Sequence, residues 1–179
     1  NTRLGDSMFI EEHNGKLPII SKKAKVFQNA CISGDVLIKD YVSIWYNVSI
    51  RGDMAKVTID ENTNIQDNAV IHTNTNLPTH IGKNVTVGHN AIIHACTVKD
   101  NSLIGMGSIL LDGCIIEEGA IVGAGCSVPT GTTVVTYELE DAAGNSVECT
   151  FNVTVAPCAN LSIDKQYLDV VSLSGYNPM

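Results

Sequence analysis

Aliphatic side chains recur every six residues over most of this chain. Seventeen such guide positions run from Val26 to Val128, and thirteen of the sixteen intervals between them are six residues long. A period of six fits neither the 3.6-residue helix nor the two-residue alternation of a simple strand. It predicts short strands joined by tight bends and stacked as the flat faces of a prism. The guides are Val26, Ile32, Ile38, Ile44, Ile50, Ile59, Ile65, Ile71, Ile81, Val87, Ile93, Val98, Ile104, Leu110, Ile116, Val122 and Val128.

The segments between the guides suit tight bends. Gly, Asn and Asp cluster there, as in Gly34-Asp35 and Lys83-Asn84, and these residue types tolerate turn conformations. The pattern resembles that of hexapeptide-repeat proteins, which implies an all-β, left-handed parallel β-helix with three hexads per coil. About six coils are expected, each about 4.8 Å from the next. Such a helix is by itself a scaffold, so any chemistry must come from residues outside the guide positions.

Composition narrows the class of protein. The chain has 179 residues, 5% aromatic residues and a net charge of -8, which argues against nucleic acid as a partner. No apolar run approaches the roughly 20 residues of a membrane span, and the first residues show no signal-peptide pattern. The four cysteines of the repeat are interpreted as small reduced residues. Cys149 and Cys158, beyond the repeat, are candidates for half of a disulfide framework in another module.

Two histidines occupy equivalent positions one coil apart. His72 follows Ile71 and His94 follows Ile93, and these guides are expected on the same face of neighbouring coils. The two imidazoles would then point outward in one column, close enough to share a metal ion. Arg51 follows Ile50 and extends the column one coil downward.

His89 lies two residues after Val87, near a corner of an adjacent face. It is not expected to reach a metal held by His72 and His94 of its own chain. In a threefold trimer, the corner of one prism approaches the column of its neighbour, so His89 would complete the site in trans. Asp67, one coil below, would orient its ring.

Three neutral imidazoles with one open position are a catalytic zinc arrangement. A divalent ion lowers the pKa of bound water to about 7, and the resulting hydroxide could attack CO2. Arg51 would supply positive charge for bicarbonate. A single surface histidine is ordinarily just a solvated side chain, but two in register beneath an arginine favour a site. His13 and His80 lack such a register and are interpreted as surface residues.

Seven short segments of the repeat form a specific pattern. They are Trp45-Tyr46-Asn47, Arg51-Gly52-Asp53, Asn62-Thr63-Asn64-Ile65-Gln66-Asp67, Val70-Ile71-His72, Val87-Gly88-His89, His94-Ala95-Cys96-Thr97 and Leu103-Ile104-Gly105-Met106-Gly107. With these segments, the repeat from about Ala24 to Val128 resembles the γ-class carbonic anhydrase family. The resemblance implies a homotrimer with one divalent metal per subunit, bound by His72, His89 and His94. Zinc is the first candidate for this metal, and iron and cobalt are the alternatives.

The resemblance also implies roles around the metal. Arg51 and Asp53 would form a salt bridge across the subunit interface, and Gln66 would contact the metal-bound water or the substrate. Asn64 and Asp67 are expected at the interface or behind the ligands. The expected reaction is the reversible hydration of CO2 to bicarbonate, in a cytoplasmic protein.

Two departures keep other functions open. Met54 stands where well-studied members carry a Glu, and the segment Thr73 to His80 is short and contains no carboxylate to shuttle a proton. The alternatives are an acyl-CoA thioesterase or acyltransferase-like protein, and a catalytically weak trimeric metal-binding scaffold.

The chain beyond the repeat has a different pattern. Two alternating segments around Ala143-Gly144-Asn145 predict a β-hairpin. This part resembles the end of a hyalin-repeat (HYR) module, which leaves an extracellular or periplasmic context open. The expected organisation is an N-terminal segment (1–23), the β-helix with its metal site (24–131) and an atypical tail (132–179). The first strand of that tail is a candidate cap for the last coil.

Overall fold

The computed structural model describes residues 9–140 and 146–154, and the side chains of residues 9–133. The predicted Ala143-Gly144-Asn145 turn and the segment from Pro157 lie outside these ranges. The described residues form nineteen strands and no helix, and therefore contain no helix able to cross a membrane. The strands are β1 (Phe9–Glu11), β2 (Ile19–Ile20), β3 (Lys25–Val26), β4 (Cys31–Ile38), β5 (Ser43–Ile44), β6 (Ser49–Ile59), β7 (Asn64–Ile65), β8 (Val70–His72), β9 (Thr79–Ile81), β10 (Thr86–Val87), β11 (Ile92–His94), β12 (Thr97–Val98), β13 (Leu103–Ile104), β14 (Ile109–Leu110), β15 (Ile115–Ile116), β16 (Ile121–Val122), β17 (Ser127–Val128), β18 (Thr132–Glu140) and β19 (Ser146–Thr154).

The strands form the three walls of a left-handed parallel β-helix, which confirms the predicted fold class. The first wall stacks β1, the start of β4 and β6, then β8, β11, β14 and β17. The second stacks β2, the ends of β4 and β6, then β9, β12, β15 and β18. The third is the six-stranded sheet β3-β5-β7-β10-β13-β16. Because β4 and β6 run around a corner unbroken, the first two walls form one sheet.

The corners are made by residues with positive φ. Asn occupies most corners of the lower coils, for example Asn68 (φ 60°) and Asn90 (φ 58°). Gly takes over in the upper coils, for example Gly107 (φ 68°) and Gly119 (φ 73°). Both residue types enter this left-handed region at low cost, and each allows the chain to turn from one wall to the next.

The guide residues fill the interior of the prism. From Ile32 to Val128 every guide is at most 4% exposed, and only Val26 is partly exposed at the lower end. Their neighbours along each strand point outward, as the alternating burial of β4 shows. The predicted core is therefore confirmed, and outward positions of successive coils form vertical columns.

The helix has about seven coils, one more than the guide positions predict. At the lower end, Ile20 pairs with Ile38 and adds a strand to the second wall. At the upper end, β18 pairs in parallel with β15 and supplies the seventh strand of that wall. β19 then pairs antiparallel with β18, which confirms the predicted hairpin strands. The tail thus covers the upper edge of the second wall with backbone hydrogen bonds.

On the second wall, replacing an inward isoleucine should cost far more free energy of unfolding than replacing an outward one. Ile59→Ala should lower the free energy of unfolding by about 2–5 kcal/mol, because Ile59 is fully buried and the prism cannot collapse onto the cavity. The matched control Ile19→Ala, at a position that is 68% exposed, should cost less than about 0.5 kcal/mol. Urea denaturation of both variants measures the difference. Equal costs would contradict the assigned register.

Candidate metal centre

His72 and His94 lie side by side on the first wall. They are paired residues of β8 and β11, as the predicted column requires. His72 Nδ1 lies 3.1 Å from His94 Nε2, and the ring centroids are 5.1 Å apart at an interplanar angle of 59°. The parallel register therefore brings two ring nitrogens face to face at the protein surface, where the side chains are 16% and 31% exposed.

Each ring is held by a carboxylate on its far nitrogen. Asp53 Oδ1 lies 2.8 Å from His72 Nε2, and Asp112 Oδ1 contacts His94 Nδ1. Burial alone would raise the pKa of Asp53, but the hydrogen bond from His72 and the charge of Arg51 hold that pKa below its ordinary value. The pKa of Asp112 is lowered chiefly by a hydrogen bond from Asn74 and also by that from His94. Both carboxyl groups are thus ionised at neutral pH.

The facing nitrogens are consequently both acceptors. An ionised carboxylate only accepts, so in the neutral form of each imidazole the far nitrogen carries the ring proton and the near nitrogen presents a lone pair. Two lone pairs 3.1 Å apart repel unless a cation lies between them. Two nitrogen ligands of one tetrahedral zinc ion are about 3.3 Å apart, given Zn–N bonds of about 2.0–2.1 Å. The pair therefore fits a divalent metal in chemistry and in spacing.

His89 repeats this carboxylate pairing on the third wall. It comes after β10 at a corner, is 45% exposed, and has Asp67 Oδ2 at 3.1 Å from its Nδ1. Such outer carboxylates orient histidine ligands and fix their tautomer. Within the part of the chain that the structure describes, no three His, Cys, Asp or Glu side chains converge on one metal position. The assignment of all three histidines as ligands stays a prediction that requires a second subunit.

Arg51 pairs with Asp53 of its own chain. This contact places the guanidinium, 52% exposed, beside the carboxylate that holds His72. Its predicted role across an interface and toward bicarbonate stays a prediction.

Gln66 and Asn64 lie on the third wall below His89. Gln66 borders a shallow groove together with His89, and its backbone N–H donates to Val87. The Asn64 amide oxygen instead accepts hydrogen bonds from Trp45 Nε1 at 2.6 Å and Ser43 Oγ at 2.8 Å. Gln66 is therefore well placed to reach a molecule beside His89, whereas Asn64 is engaged within its own wall.

Asp112 and Asn74 are site residues that the sequence reasoning missed. Leu110 is the guide residue directly above Ile93, one coil higher on the same wall. Asp112 follows Leu110 by two residues and therefore lies above His94. The predicted column extends downward to Arg51 and not upward. One more coil in the upward direction places a carboxylate beside His94. Asn74 carries no comparable signal, because it lies in an irregular loop.

Two family profiles match the upper part of the chain. "Bacterial transferase hexapeptide (six repeats)" matches residues 95–130, and "HYR domain" matches residues 119–155. The two matches overlap where the last coils pass into the hairpin.

Known proteins with this coil are similar over a larger part of the chain. A crystal structure of a hexapeptide transferase family protein from Anaplasma phagocytophilum is 43% identical, covers 70% of this chain and 74% of its own, and superposes with a TM-score of 0.67. The chain therefore belongs to the hexapeptide transferase family, the class that its fold defines. Within that class, about half of the chain is similar to curated carbonic anhydrases, some of them named as gamma carbonic anhydrases.

Two curated relatives illustrate this similarity. A probable carbonic anhydrase of Methanocaldococcus jannaschii is 46% identical over 92 residues, which cover 51% of this chain and 58% of the relative. Gamma carbonic anhydrase 1, a mitochondrial protein of Arabidopsis thaliana, is 45% identical over 101 residues, which cover 53% of this chain and 37% of the relative. The chain thus spans between about a third and three fifths of these relatives' length.

The paired imidazoles predict a metal site that depends on His94. The purified protein should hold about one zinc ion per chain. His94→Ala should weaken zinc binding by more than about 100-fold, because loss of a ligand costs more than the roughly 10–100-fold expected for loss of a residue that only hydrogen-bonds a ligand. Competition with a chromophoric chelator measures both affinities. His80→Ala is the matched control, because His80 is a half-exposed histidine outside the column. Zinc binding that survives in His94→Ala would refute the ligand assignment.

Proposed function

We propose that this chain is a metal-dependent carbonic-anhydrase-like enzyme that interconverts CO2 and bicarbonate at the interfaces of a homotrimer. The observation that carries the proposal is the pair of acceptor nitrogens on His72 and His94, 3.1 Å apart and each backed by a carboxylate. These two nitrogens would hold a divalent cation, with zinc as the first candidate, and His89 of a neighbouring subunit would supply the third nitrogen.

The order of residues along the coil supports completion of the site by His89 of a neighbour. One coil separates His72 from His94, and His89 lies between them in the chain. Its height along the prism axis is therefore intermediate. In a threefold trimer with parallel prisms every residue keeps its height, so the corner bearing His89 comes to the level between the two imidazoles of the next subunit.

An exposed apolar column on the first wall also supports a subunit interface. Val70, Ile92 and Ile109 are 37–39% exposed, stack on successive coils, and lie two residues before His72, His94 and Leu111. A contiguous apolar patch next to polar ligands is typical of a protein interface. A neighbouring prism that covers this column would bring its corner to the histidines.

The surrounding residues suit CO2 hydration. When bound, a divalent ion of this kind brings the pKa of a water ligand to about 7 and so supplies a nucleophile at neutral pH. Gln66, at the same corner as His89, would orient the reacting molecule. Arg51 would attract the bicarbonate anion to a protein whose net charge is -8. The short segment Thr73–His80 offers no carboxylate for proton export, so turnover is expected to be slow.

Stopped-flow measurement of CO2 hydration tests the activity. The zinc-loaded protein should accelerate hydration, and His94→Ala should not. A protein that binds one zinc per chain and hydrates CO2 no faster than His94→Ala would instead be a metal-binding scaffold.

The glycine-lined groove favours acyl transfer or thioester hydrolysis as a second candidate function. Its floor is formed by Gly88, Gly105 and Gly123, and apolar side chains, among them Leu103 and Met106, line it. A Cβ at Gly105 would lie 2.4 Å from the Ala124 backbone nitrogen, so coil packing itself keeps the floor bare. An extended apolar acyl chain would fit along it. Hydrolysis of acyl-CoA by the parent protein, abolished by His89→Ala, would favour this function.

We further propose that residues 24–131 act as one functional unit in a reducing compartment such as the cytoplasm. The four cysteines of the repeat, Cys31, Cys96, Cys114 and Cys126, are free thiols, which suits that compartment.

Intersubunit completion of the site predicts complementation between inactive variants. His89→Ala and His94→Ala should each lose zinc and hydration when produced alone. Random mixing on co-expression places an intact His72–His94 column against an intact His89 at about one quarter of the interfaces of a threefold trimer, and zinc content and activity should recover to that level.

Co-expression of His72→Ala with His94→Ala is the matched control, because both residues lie on the same wall and no intact column can form. Recovery in this control, or none in the first mixture, would show that the ligands are not divided between subunits.

A further inference from the structure

The loop between β8 and β9 reaches the histidine pair through one side chain. Asn74 Nδ2 donates to Asp112 Oδ2 at 2.7 Å, while the other oxygen of Asp112 contacts His94 Nδ1. The loop is itself closed by backbone hydrogen bonds between Asn74 and Leu77, at 2.9 and 3.2 Å. Asn74 is therefore held at a defined position beside the carboxylate.

The orientation of the Asn74 amide is fixed by its own backbone. The Thr75 N–H donates to Asn74 Oδ1 at 2.7 Å, and only an oxygen can accept there. The amide nitrogen must then face Asp112 and donate. Since Asp112 is an acceptor at both oxygens, the proton between it and His94 belongs to the imidazole.

We infer that Asn74 and Asp112 are positioning residues that set the tautomer of His94, keeping its proton on Nδ1 and its Nε2 lone pair directed at His72. This inference deepens the proposed function and rests on it, because Nε2 is the atom that would bind the metal. On this inference, the short loop contributes to the site through the Asn74 amide and needs no carboxylate of its own.

An amide at position 112 would move the His94 proton to the other ring nitrogen. In Asp112→Asn the new oxygen is drawn to the Asn74 amide nitrogen, which can only donate. The new amide nitrogen then faces His94 Nδ1 and donates to it, so the ring proton moves to Nε2 and blocks the metal position.

Exchange of the two side chains should restore the parent tautomer. In Asn74→Asp combined with Asp112→Asn, the carboxylate at position 74 accepts from the Thr75 N–H and from the amide nitrogen at position 112. The amide oxygen at position 112 is left to accept from His94 Nδ1. Asn74→Asp alone should not keep the parent arrangement, because it places two carboxylates against each other.

The experiment compares these variants in the full chain by two measurements. Long-range ¹H–¹⁵N correlation spectra of the metal-free protein report the His94 tautomer. We expect Nδ1–H in the parent and in the exchange variant, and Nε2–H in Asp112→Asn. Zinc affinity, measured by chelator competition, should fall about 10–100-fold in Asp112→Asn and recover largely in the exchange variant.

Asp35→Asn is the matched control. Asp35 is 29% exposed against 27% for Asp112, and its carboxylate pairs with Lys16 instead of a histidine. Its replacement should change neither measurement. An Asp112→Asn variant that keeps the parent tautomer and affinity, or an exchange variant no better than Asp112→Asn, would overturn the inference.

The two proposals fail separately. The tautomer is measured without metal or substrate and therefore decides this inference even if the parent protein hydrates no CO2. Conversely, a parent protein with the expected tautomer and zinc affinity but no hydration would refute the proposed activity alone.

Discussion

The in-register hydrogen bonding between successive coils is the constraint on which the rest of the structure depends. Each strand pairs in parallel with its equivalent one coil away, so residues with the same offset from their guides become neighbours at about 4.8 Å. The register turns a sequence interval of 22 residues into a contact between His72 and His94. The same register stacks the guide residues into a continuous core. The backbone pairing that organises the core of the prism therefore also brings the histidines of the site together.

Carboxylates orient the histidine rings that the register brings together. Each of the three histidines meets an aspartate from an adjoining coil or strand: Asp53, Asp67 and Asp112. Two of these pairings turn both facing lone pairs toward one point, an arrangement that is unfavourable without a cation. A cluster whose charge balance is incomplete is a stronger indication of ligand binding than the presence of histidines alone, because it carries a free-energy cost in the absence of its ligand.

The sequence predicted the wall, core and histidine column well because all three depend on periodicity. Guide spacing determines which residues point inward, and the offset from the guide determines the column. Asn74 could not be predicted, because its place depends on how an irregular loop folds back against Asp112. The orientation of each imidazole likewise depends on side-chain contacts between coils. The number of coils was underestimated because the six-residue spacing continues beyond the counted guides. Ile20 precedes Val26 by six residues and pairs with Ile38, and Val134 follows Val128 by six residues and pairs with Ile116.

The hairpin at the upper end shows that a β-helix places few demands on the segment attached to its last coil. That coil offers β18 a row of backbone donors and acceptors, and an extended segment can meet them if its inward side chains fit the core, as the fully buried Thr132 does. A terminus of this kind accepts segments of unrelated ancestry without redesign of the coils beneath. New C-terminal extensions can therefore arise at this point by gene fusion, while the coils that carry the histidines remain unchanged.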